Sequence, residues 1–181
     1  KAEEEDLEPF TKEQMRLLLD RCSNHAKLKY MVLKDTGCRI GELVQLRKRD
    51  IDVSKSPMEI KIQASYTKTK KARTAFVTRE TAPMLTRLLN KKQDNELVFG
   101  TSEDEYVATG TEKTLFAYYR KELAKDYPEF GDIYQSNGRH KKTIHSIRSY
   151  CATQCAEAID EAWGHGYIGH KKYLGQYIRN Q

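Results

Sequence analysis

Hydrophobic positions change period along the chain. From Thr11 to Asn24 they recur every three or four residues, with Met15, Leu18, Leu19 and Cys22 on one side. Thr11 followed by Gln14 has the form of a capping box, which predicts a helix over about 12–24. Residues 27–35 (KLKYMVLKD) carry Tyr30, Val32 and Leu33 and predict a second helix, broken at Thr36-Gly37. A third is expected from about Arg39 to Leu46. The period then drops to two. Met58, Ile60 and Ile62 alternate with polar residues, and TAFV (74–77) follows a basic turn, the pattern of a β-hairpin. Helical spacing returns at 79–91, at about 111–125, and from Thr143 or His145 to about Ala158. Residues 126–142 read as irregular chain. Residues 1–10 read as a linker or tail and 11–181 as one domain. Helices, a small sheet, then helices again predict a mostly helical α+β fold.

Composition adds to this outline. A chain of 181 residues can bury its own core. No apolar run approaches the roughly 20 residues of a membrane span, so no membrane partner is expected. The opening KAEEEDLE does not have the form of a signal peptide. The chain does not begin with Met and reads as part of something longer. Four cysteines without a CxxC pair point to reduced thiols in a cytoplasmic or nuclear-type compartment. Cys151 and Cys155 read as small buried thiols on a helix rather than zinc ligands. Trp163 is expected to pack, Tyr118, Tyr119 and Tyr150 to sit in the core or at its boundary, and His165 to lie in a loop.

Charge changes the picture more. The net charge is +6, but 61–73 holds five bases and 139–148 four bases and two histidines, neither with an acid. Such concentration predicts a phosphate-binding surface. Arg39, Lys68, His145, Arg148, His170, Tyr173 and Tyr177 could together act on a phosphodiester. Guanidinium groups clamp non-bridging oxygens in bidentate fashion. Lys and His move protons. A tyrosine hydroxyl can form a phosphate ester that keeps the bond energy for reversal. Cations in these roles need no metal.

These residues resemble a known family. TGCRIGELVQLRKRDID (36–52) is similar to the first signature of the tyrosine recombinases, the phage integrase family, and HSIRSYCATQ (145–154) to its second. YIGH (167–170) is similar to the glycine-histidine pair that follows, and the basic hairpin to the one that carries the family's lysine. The resemblance covers about residues 12–179. It implies the catalytic-domain fold of that family, with a small antiparallel three-stranded sheet. It also implies that Arg39 and Arg148 grip the scissile phosphate, that Lys68 protonates the leaving 5′ oxygen, that His145 assists proton transfer at the tyrosine, and that His170 bonds the phosphate. Glu42 would be a buried acid that positions the site. Lys70, Lys71, Arg73, Lys141 and Lys142 would contact DNA phosphates.

The nucleophile departs from the family spacing. Nine residues after His170 stands Arg179, not tyrosine. Tyr177 is the expected nucleophile because it lies nearer that position, with Tyr173 as the alternative. The implied protein is an integrase of a virus or mobile element that works without metal or ATP, as a homo-tetramer on double-stranded DNA. Its place would be the nucleoid-associated cytoplasm, or the host cytoplasm if viral. A separate N-terminal core-binding domain, usual in the family, is not seen in this sequence. Three rivals remain at this stage: a type IB topoisomerase, a degenerate recombinase that only binds DNA, and a metal-dependent nuclease using Glu42, Asp50 and Asp52.

Overall fold

The computed structural model describes residues 8–169. Helix α1 (Lys12–Arg21) begins as expected: Gln14 N–H donates to the Thr11 hydroxyl at 3.1 Å and Thr11 N–H to the Gln14 side chain at 3.0 Å. Helix α2 (Asn24–Thr36) is the central element, with Tyr30, Met31, Val32 and Leu33 all buried. It is apolar on nearly every side because other elements surround it. It stops at Gly37, whose φ of +61° only glycine adopts cheaply. A Cβ there would also run into Ile168.

The third helix is shorter than its pattern suggests. Helix α3 spans Ile40–Leu43 only. The chain then opens, because the Leu46 carbonyl accepts from Val98 N–H at 2.9 Å and Arg47 bridges to Leu97. Strands β1 (Ile51–Asp52), β2 (Met58–Ile62) and β3 (Arg73–Val77) form an antiparallel sheet in chain order, with Ile51 opposite Ile60, Met58 opposite Val77 and Ile62 opposite Arg73. Met58, Ile60, Ile62, Ala75 and Val77 turn one face inward. Helix α4 (Ala82–Leu89) follows, with Pro83 in its first turn.

Helix α5 (Glu105–Asp126) begins six residues before its expected start at 111. The buried stripe is Ala108, Glu112, Phe116, Tyr119 and Leu123, and a glutamate within it hides the periodicity. Tyr106, Val107 and Tyr118 are exposed on the same helix, so Tyr118 is not the boundary aromatic the sequence suggests. Residues 126–142 are irregular, with one 3₁₀ turn and a bridge from Ile133 to His140. Helices α6 (His145–Ala158) and α7 (Glu161–Tyr167) complete the described chain. His165 lies within α7 rather than in a loop. Trp163 stacks on Tyr167 at 5.3 Å between ring centroids, yet it is still 45% exposed. Phe10, placed in the tail by the sequence, is buried against Phe116 and Phe130 at 6.2 and 6.1 Å. The packed domain therefore starts before Thr11.

Glu112 explains its own burial. Its carboxylate meets the ammonium of Lys29 at 2.7 Å, and both side chains are almost fully enclosed. Removing one partner leaves an uncompensated charge in the core. Lys29→Met is expected to lower unfolding stability by about 3–5 kcal/mol, and adding Glu112→Leu to restore most of it. Urea denaturation of the single and double variants checks this.

Candidate active site

The turn at Gly37 sends the chain from α2 directly into Arg39, the residue that precedes α3. Three residues on, Glu42 faces back into the protein and is buried. Its carboxylate accepts Arg39 N–H at 2.9 Å and both terminal nitrogens of Arg73, at 2.7 and 3.2 Å. Burial by itself would raise the Glu42 pKa. The Arg73 hydrogen bonds and charge, with the Arg39 N–H, outweigh it and hold the carboxyl below its ordinary value.

Arg148 arrives from the first turns of α6. One terminal nitrogen donates to the carbonyls of Gly37 at 2.6 Å and Ile168 at 2.8 Å. Its other terminal nitrogen is buried and has no partner among the described residues, and the same holds for Arg73 Nε. Burial, then the charges of Arg39 and Arg73, pulls the Arg148 pKa down to about 10. Such a guanidinium is still charged at neutral pH, and its free N–H is a donor awaiting an anion.

His145 opens α6 one turn before Arg148. Burial and then the charges of Lys113, Arg148, Arg39 and Lys68 push its pKa down to about 4. The imidazole is therefore neutral near pH 7 and able to accept a proton. The same influences show that Arg39, Lys68, His145 and Arg148 share one electrostatic neighbourhood. Lys113, on α5, belongs to it too. The sequence reading missed it, since nothing in the spacing of α5 separates it from other exposed lysines.

Lys68 lies in the β2–β3 connection, not at a strand end. The strand stops at Ile62, a 3₁₀ turn (Ala64–Tyr66) follows, and Lys68 projects into solvent from the next turn. Lys70 and Lys71 are exposed in the same turn. Two expected phosphate contacts are corrected. Arg73 gives both terminal nitrogens to the Glu42 carboxylate and keeps only its buried Nε without a partner among the described residues. Lys142 is buried, donates to the Pro9 carbonyl at 2.9 Å, pairs with Glu8 at 3.2 Å and lies over the Phe10 ring. Lys141 is half-buried, with its ammonium 5.7 Å from the centre of the Tyr134 ring. His170, Tyr173 and Tyr177 lie outside the described residues.

The three carboxylates of the nuclease reading do not converge. Glu42 faces Arg73, Asp52 accepts from Ser54 at the surface, and Asp50 is turned toward Gln63 and Tyr66. Among the described residues, no group of three or more His, Cys, Asp or Glu is placed to hold a metal ion.

A mostly helical domain with a short antiparallel sheet, a half-buried and a buried arginine on two signatures and a lysine loop between them defines the tyrosine recombinase catalytic-domain class. The profile of the phage integrase family matches residues 8–173, and the chain belongs to that family. It is 25% identical over 184 residues to transposase A from transposon Tn554 of Staphylococcus aureus, covering 97% of this chain and 47% of that protein. The chain thus spans about half the length of this curated relative. The fold is similar to that of XerA recombinase (TM-score 0.66, 20% identity, covering 100% of this chain and 61% of that one). It is also similar to the Tn1549 transposon integrase in complex with transposon right end DNA (TM-score 0.69, 16% identity, covering 98% and 62%). A lambda integrase tetramer bound to a Holliday junction gives a TM-score of 0.64 at 17% identity, covering 91% and 47%.

The histidine generates a pH expectation. The unfolded chain binds a proton at His145 near 6.5, the folded one only near 4. Stability from the neutral imidazole is thus complete above about pH 6.5 and is lost as pH falls toward 4. The loss is on the order of 1–3 kcal/mol. Denaturation curves at stepped pH should show this slope in the native protein and a flatter one in His145→Gln.

Proposed function

We propose that this chain supplies the catalytic domain of a site-specific DNA recombinase that cuts and rejoins strands through a 3′-phosphotyrosyl intermediate. The observation that carries the reading is the buried nitrogen of Arg148 that has no partner among the described residues, beside Arg39 and a neutral His145. That arrangement suits a phosphate better than any group of the protein itself. In the proposed step the hydroxyl of Tyr177, or of Tyr173, attacks the phosphorus. An O–P bond forms while the P–O5′ bond breaks. The tyrosine proton passes to His145, and Lys68 gives one to the departing 5′ oxygen. The products are a tyrosyl phosphodiester and a free 5′ hydroxyl. Attack by the 5′ hydroxyl of another strand reverses the ester. The guanidinium groups of Arg39 and Arg148 balance the charge that builds on the non-bridging oxygens. The relative from a transposon supports a mobile-element setting, and the lambda integrase tetramer supports a four-subunit assembly on DNA.

Two measurements test this. In EDTA, a library of nicked duplexes with a randomised core should yield a denaturation-resistant protein–DNA adduct. The adduct should disappear in Tyr177→Phe and persist in Tyr173→Phe. The reverse pattern moves the nucleophile to Tyr173, and no adduct with any of the proteins defeats the cleavage reading. Separately, DNA affinity should fall steeply with salt. Lys70→Ala and Lys71→Ala should each reduce the slope of log K against log salt by about 1, while buried Lys142→Gln leaves it unchanged.

A further inference from the structure

Asp50 is buried, yet no cationic side chain pairs with it among the described residues. Its carboxylate is satisfied by neutral donors. Oδ2 accepts Arg47 N–H at 2.9 Å and the Tyr66 hydroxyl at 2.8 Å, and Oδ1 accepts the Gln63 side-chain amide at 2.8 Å. Enclosing a carboxylate this way is costly, and an apolar residue would fill the space at less expense. Two of the three donors lie in the short stretch that leads to Lys68.

The turn beyond is fixed as well. Thr67 is buried, its hydroxyl donates to the Ala64 carbonyl at 3.0 Å, and it accepts Lys71 N–H at 3.2 Å. Gln45, just past α3, donates to the Gly41 carbonyl at 2.8 Å and reaches the Tyr66 carbonyl at 3.5 Å. Lys68 itself makes no side-chain hydrogen bond or ion pair among the described residues, so its backbone alone decides where its ammonium can reach. Glu42 holds the returning end of the same connection through Arg73.

We infer that Asp50 is a positioning residue for the reaction, acting through Tyr66 and Gln63 to set the root of the turn that presents Lys68 to the leaving oxygen. The inference rests on the assignment of Lys68 as the proton donor. It yields a signature that a purely structural residue would lack. A DNA strand whose scissile bridging 5′ oxygen is replaced by sulfur leaves as a thiolate and needs no proton. Any defect that acts through Lys68 should vanish on that substrate.

The experiment compares cleavage rates on all-oxygen and 5′-bridging phosphorothiolate versions of one nicked duplex, selected by adduct capture. Lys68→Ala should lose about 10²–10⁴-fold on the oxygen substrate and recover on sulfur. Tyr66→Phe, which keeps the ring and the buried carboxylate, should lose about tenfold on oxygen and recover to within about twofold on sulfur. Asp50→Asn should behave alike, with thermal melting to show that it folds. Equal losses on both substrates, or none on either, for Tyr66→Phe overturn the inference. Failure of sulfur to recover Lys68→Ala overturns instead the assignment of Lys68 as donor.

Discussion

A single buried carboxylate, Glu42, joins the parts of the site that come from distant stretches of chain. It accepts the N–H of Arg39 at the start of α3 and both terminal nitrogens of Arg73 at the start of β3. Without it, two arginines and the nearby Arg148 would face one another in a poorly hydrated space with nothing to offset their charge. Glu42 neutralises part of this and leaves the rest as net positive potential. Burial first, and this excess charge second, give the depressed Arg148 pKa and the neutral His145.

The second constraint is the direction in which α2 hands over to the site. Its C-terminal glycine turns the chain so that the Gly37 carbonyl meets Arg148, 111 residues away in sequence. Cys151, one turn further along α6, donates toward the Asp35 carbonyl at 3.8 Å. The end of the most buried helix and the start of α6 are thereby locked to each other. The core of the domain and the geometry of Arg148 cannot vary independently.

Much of this was legible in the residue order. The alternation of Met58, Ile60 and Ile62 gave away β2, the Thr11–Gln14 pair marked the start of α1, and the two signatures located Arg39 and Arg148. What escaped notice has definite causes. The start of α5 was hidden because its buried stripe contains Glu112, whose partner Lys29 comes from another helix. Lys142 and Arg73 looked like surface bases because a basic run says nothing about which members turn inward. The Pro9 carbonyl lies 133 residues from Lys142 along the chain, with Glu8 next to it, and Glu42 lies 31 residues from Arg73. Lys113 approaches His145 only through tertiary packing. His170 and both candidate nucleophiles fall outside the described residues.

Arg148 also couples two ends of the described chain. One of its terminal nitrogens holds the Gly37 carbonyl at the end of α2 and the Ile168 carbonyl just past α7. A backbone shift at either end therefore reaches the other through one guanidinium. The side chain works as a hinge pin between the two segments as well as a charge.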